Sequence, residues 1–102
     1  LVPDAAPAAG PLATGLEGIN LMVHPALALV NLGWFDRAAA AGERVRFYGE
    51  GNTQSAAALA TALDAERAAI CAAWGLPHRS LSAMLAALYG ATGKDALSAV
   101  AT

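Results

Sequence analysis

Large apolar residues recur at Leu59, Leu63, Ile70 and Trp74, close to the 3.6-residue period of a single helix face. Asn52 or Thr53 is placed to cap this helix, and Gly75 and Pro77 to end it. Upstream, the segment PALALVNL is apolar on nearly all sides. Because His24, as the residue before Pro25, is pushed away from helical dihedrals, a helix is expected to restart at Pro25 and stop at Gly33, with Trp34 and Phe35 packed beyond its end. Ser80 can cap a further helix through Leu81, Leu85, Leu88 and Tyr89 that closes at Gly90, and Asp95 to Ala101 reads as one more short helix. Polar and apolar residues alternate only from Arg44 to Tyr48, before Gly49 and Gly51, which predicts a short extended arm and a turn. Residues 1–18 carry three prolines and three glycines and predict a loose lead-in, a linker or domain edge, ahead of a helical domain over 19–102.

Composition sharpens this picture. The chain has 102 residues, enough for one domain, and 28 of them are alanine, whereas Val, Ile and Thr together number 12, so the fold class expected is all-α. Hydrophobic residues make up 57%, charged residues 14%, and mean hydropathy is +0.47, which excludes intrinsic disorder. The net charge is -2 with the basic residues scattered, so nucleic acid is not an expected partner. No run approaches the roughly 20 large apolar residues of a membrane span, so no membrane is expected either. A single cysteine, Cys71, allows no internal disulfide, and no secretory signal is visible, which makes a reducing cytoplasm the expected compartment. A chain that begins at Leu1 reads as a piece of a longer one.

Few residues carry chemistry. Asn20 and His24 lie four apart and can share a helix face, the imidazole exchanging a proton near neutral pH and the amide orienting a carboxylate or carbonyl. The same spacing also suits a histidine at the start of the Pro25 helix with Asn20 as an N-cap. Glu50, on its glycine-flanked turn, is either a residue reaching into a cleft or an ordinary exposed acid. Asp64 can pair with Arg67 at i, i+3 on a solvated helix face, or can orient the His24 ring if the two helices pack together. His78 reads as surface and Cys71 as a small buried apolar residue. No metal-ligand spacing occurs, and Y-G-E-G-N-T supplies G-x-G without the third glycine or preceding strand of a dinucleotide loop.

The frame L-x-T-x-L-x-x-I-N-x-x-x-H-P-A-x-A-L-x-N-x-G at 12–33, then F-Y-G-E-G-N-T at 47–53, A-L-D-A-E-R at 62–67 and W-G-L-P at 74–77, resembles the helical C-terminal domain of the octopine and nopaline (opine) dehydrogenases. The likeness implies an oxidoreductase in which a Rossmann domain binds NAD or NADP. The helical domain would complete the cleft where a 2-oxo acid condenses with an amino acid. It further implies His24 as the catalytic acid/base, Asn20 as a substrate-orienting residue, and a carboxylate partner for the histidine at Asp64 or Glu50. Gly49 stands where members of that family carry Arg or Lys before the glutamate. Ketopantoate reductases share the two-domain plan but use a lysine, and the only lysine here, Lys94, lies elsewhere. The competing reading is a non-catalytic interaction or dimerisation module presenting Trp34, Phe35, Phe47 and Tyr48. Without its cofactor domain the chain is expected to be inactive and, through its apolar surface, to form a homo-oligomer.

Overall fold

A computed structural model describes residues 6–89, and among them the fold is all-α. Four helices follow in order: α1 (Pro11–Leu16), α2 (Asn20–Ala40), α3 (Gln54–Ala73) and α4 (Leu81–Tyr89). The expected helix over Asp95 to Ala101 and the closure at Gly90 lie outside the described residues.

Small residues decide how the helices meet. Helix α3 turns Ala56, Ala60, Arg67 and Cys71 inward, and α2 turns Met22, Val23, Ala26, Leu27, Asn31 and Ala38. Alanines at Ala26, Ala56 and Ala60 let the α2 and α3 backbones approach, while Met22, Leu27 and the α4 residues Leu81, Met84 and Leu85 fill the remaining volume. The large apolar stripe read from the sequence of α3 is therefore only half in the core. Leu59 and Leu63 pack against it partly buried, but Ile70 and Trp74 remain 45% and 67% exposed. In an alanine-rich helix, close approach favours the face with the smallest side chains and leaves larger ones outside.

Three expected boundaries are corrected. The lead-in contains α1, because Pro11 takes the first helical turn, where its missing N–H costs nothing. Helix α2 does not restart at Pro25 but runs through it from Asn20, although Pro25 lacks the N–H that would bond the Leu21 carbonyl. Nor does Gly33 stop α2. The stop is Gly42, at φ 71°, where the Glu43 N–H bonds the Ala38 carbonyl at 2.8 Å in a left-handed C-terminal motif. Trp34 and Phe35 are thus inside α2 rather than beyond it. Gly75, at φ 66°, ends α3 in the same way, with Leu76 N–H on the Cys71 carbonyl at 2.8 Å, as its sequence position predicts.

The start of α3 is capped by Thr53, whose hydroxyl accepts from Ala56 N–H at 3.1 Å, and that of α4 by Ser80, which accepts from Ala83 N–H at 3.1 Å. Taken together, Pro11–Ala40 is long and apolar enough to cross a membrane by length and composition, with mean hydropathy 1.3 in its most apolar window. The core residues of α2 account for one side of this stretch. Only 28% of the window is buried, so its other side, with Leu21, Leu29, Val30 and Leu32, faces outward.

Candidate functional site

Between α2 and α3 the turn expected at Gly49 and Gly51 is present over residues 47–51, taking in Phe47 and Tyr48 of the expected arm, and it is held against α2. Glycine makes this possible at one position. A Cβ on Gly51 would collide with the Phe47 carbonyl oxygen and stand 3.4 Å from Asn31 Nδ2, so the turn closes only with hydrogen there. The buried Asn31 side chain then clamps it, donating from Nδ2 to the Gly51 carbonyl at 2.7 Å and to the Leu27 carbonyl of its own helix at 2.9 Å. Aromatic rings continue the attachment: Phe47 meets Phe35 of α2 at 5.7 Å and Tyr48 edge-on at 5.0 Å, and Trp34 lies 5.4 Å from Phe35.

This clamped turn brings Tyr48 onto His24. Nε2 of the imidazole and the Tyr48 hydroxyl are 2.6 Å apart, and the edge of the His24–Phe47 pair closes one side at 6.2 Å. His24 is exposed, and so is Asn20, one turn earlier on the same helix, which puts the amide and the imidazole on one accessible stripe of α2. Neither Tyr48 nor Asn31 stands out as chemistry in the sequence. The available signals are that both fall on letters of the quoted frames and that Asn31 lies seven residues after His24, hence on the same face, inside an otherwise apolar run.

The two carboxylates lie elsewhere in the bonding network. Glu50 pairs with Arg46 within the turn at 3.3 Å, both exposed. The pairing of Asp64 with His24 is not formed. Asp64 Oδ1 accepts from Arg67 Nε and a terminal guanidinium nitrogen at 3.1 and 2.7 Å, and Oδ2 accepts from Leu81 N–H at 2.9 Å, at the positive end of α4. The i, i+3 pair expected from the sequence is present, but Arg67 is 5% exposed rather than solvated. It also donates to the Leu16 carbonyl at 2.8 Å and to the Arg79 carbonyl, so one guanidinium ties α1, α3 and the approach to α4. His78 joins this cluster, its Nε2 at 3.2 Å from Arg67 and 3.4 Å from Asp64 Oδ1. Burial pushes the Asp64 carboxyl up, but the Leu81 N–H, the hydrogen bonds and charge of Arg67 and the His78 contact outweigh it, leaving the group below the ordinary aspartate value. Cys71 is buried, as its apolar neighbourhood predicts.

The structure therefore separates a clasp, Asp64–Arg67–His78, from an open site, Asn20–His24–Tyr48, on opposite partners of the helix pair. No curated protein and no solved structure matches the chain. Residues 7–102 match the family described as NAD/NADP octopine/nopaline dehydrogenase, alpha-helical domain, a span that takes in α1 as well as the helices behind the site. With nearly its whole length inside that match and an all-helical fold to go with it, the chain belongs to the α-helical domain family of the NAD/NADP octopine/nopaline dehydrogenases.

Proposed function

We propose that this chain is the substrate-handling half of an opine-type oxidoreductase, whose full protein joins an amino acid to a 2-oxo acid with NAD(P)H as reductant. Proton exchange occurs at His24. The observation that carries the reading is the exposed imidazole on α2, held by Tyr48 and accompanied one turn away by the exposed amide of Asn20.

The chemistry assigned to these residues is proton supply and orientation. When an amine adds to a 2-oxo acid, the carbonyl oxygen must take up protons before it leaves as water, and oxidation in the reverse direction must shed one. Imidazole is the side chain suited to giving and taking a proton at neutral pH, so it serves both directions. The Asn20 amide, carrying donors and an acceptor, can hold a carboxylate or carbonyl so that the reacting carbon stays in register. Asp64 has no part in this step, since its oxygens are spent on the clasp.

The nicotinamide nucleotide of the family supplies the hydride when bound, but the described residues build no cradle for it. Gly49 and Gly51 belong to a turn with no strand before it, and the space at Gly51 is filled by the Phe47 carbonyl and Asn31. We assign no residue of this chain to the nucleotide and expect a Rossmann domain of the same protein to hold it. The test is NADH or NADPH oxidation by the full-length protein. Turnover that needs an amino acid and a 2-oxo acid together supports the reading; turnover with the oxo acid alone makes the protein a simple 2-oxo acid reductase and refutes it.

A further inference from the structure

The Nε2 atom of His24 has one site for a proton or a lone pair, and that site is already turned on the Tyr48 hydroxyl at 2.6 Å. Tyr48 is itself 42% exposed, so a substrate arriving from solvent finds the imidazole nitrogen already engaged by an accessible tyrosine. The contact is built rather than incidental. Phe47 packs edge-on against both rings, at 71° to His24 and 89° to Tyr48, and the backbone just beyond is fixed by Asn31 on the Gly51 carbonyl. Arg46 and Glu50 close the same turn from outside.

We infer that Tyr48 is a second catalytic residue, whose hydroxyl carries the proton between His24 Nε2 and the substrate. The inference rests on His24 being the acid/base. In the direction of condensation the Nε2–H bond of the imidazolium breaks as its proton passes to the Tyr48 oxygen. The original Tyr48 O–H bond breaks in the same step, and its proton forms a new O–H bond on the substrate oxygen. One proton has moved, nothing is oxidised or reduced, His24 ends neutral and Tyr48 ends as it began. Because the oxygen gains one proton as it gives up the other, the phenol never ionises. In the reverse direction the same two transfers run backwards.

The experiment compares Tyr48→Phe and His24→Asn in the full-length protein under steady-state conditions. Phe keeps the ring stack and removes one oxygen. Loss of a relaying group predicts a fall in kcat of about 100-fold, the low end for an acid/base group, with KM held within about twofold. A Tyr48→Phe enzyme whose kcat stays within about threefold of the parent, or rises, overturns the relay, and so does an effect confined to KM. Should Phe disturb folding by circular dichroism, a fluorotyrosine at position 48 keeps ring and hydroxyl while making the phenol more acidic. Its kcat must then differ from the parent, and an unchanged kcat counts against the relay. The two levels fail separately: a fully active His24→Asn enzyme removes the acid/base reading, whereas an inactive His24→Asn beside an unaffected Tyr48→Phe removes only the relay.

Discussion

Two residues hold the site together without belonging to its chemistry. Asn31 is 6% exposed inside an apolar face, and its amide is the sole side-chain bond from α2 to the turn backbone at Gly51 among those described. Replacing Asn31 with Ala removes that bond and leaves the Gly51 carbonyl without its amide donor, a cost of about 1–3 kcal/mol. Thermal melting should show the loss. Activity should fall further than stability alone explains, because Tyr48 loses its anchored backbone. Gly51→Ala acts on the same turn by a different route. Its methyl group would collide with the Phe47 carbonyl, a backbone group that moves only if the turn opens, so about 1–3 kcal/mol of destabilisation is expected. A Gly51→Ala protein that melts with the parent would show that the turn is not closed as described. Pattern could not reveal this pair, since Asn31 and Gly51 meet only because the turn folds back over α2, 20 residues later in the chain.

Helix ends were the most legible elements, and helix faces the least. Thr53 and Ser80 cap as their positions predict, and Gly75 stops α3, since each of these depends on one residue and its near neighbours. The Pro25 and Gly33 boundaries failed for a complementary reason. A proline or glycine weakens a helix locally, yet burial of Met22, Val23, Ala26 and Leu27 on one side and the aromatic contacts of Phe35 on the other carry α2 through both. The inner face of α3 was hidden because alanine fills the close approach and the bulkier Ile70 and Trp74 lie outside. Thr53→Ala should cost about 1 kcal/mol through the lost cap alone, seen as a lower denaturant midpoint with an unchanged slope.

The clasp behaves as an element of its own. Asp64 has a lowered pKa in the folded chain, so its contribution to stability is fully present above the unfolded value of about 3.9 and is lost as pH falls through the folded one. Asp64→Asn should therefore lower stability at neutral pH and flatten the acid limb of the stability curve below about pH 4. If the Asp64→Asn protein kept an acid limb as steep as the parent's, other carboxylates would govern it. The Arg67 partner explains why Asp64, read from the sequence as a possible mate for His24, is bonded elsewhere: a nearly buried guanidinium must be paired, and Asp64 is the acid one turn away.

Across the described residues, the core is small and much of the outer surface apolar. Leu21, Leu29, Val30 and Leu32 on α2, with Ile70 and Trp74 at the end of α3, are exposed, and no described residue covers them. This chain expressed alone should self-associate, with an apparent mass in sedimentation that rises with concentration; a constant monomer mass at high concentration would contradict that. The resemblance carried by the N-x-x-x-H-P frame and F-Y-G-E-G-N-T was enough to place the family, because those residues build the α2 surface and the turn that lies on it. What such motifs leave out is which atom meets which, and there the structure sets Tyr48 on His24 and Asp64 on Arg67, His78 and Leu81. The role of His24 is best decided by the turnover of the full-length protein carrying His24→Asn, with amino acid, 2-oxo acid and NAD(P)H all saturating. The expected result is a folded enzyme whose kcat has dropped by about 100-fold or more. A folded His24→Asn protein that turns over at the parent's rate would contradict that role.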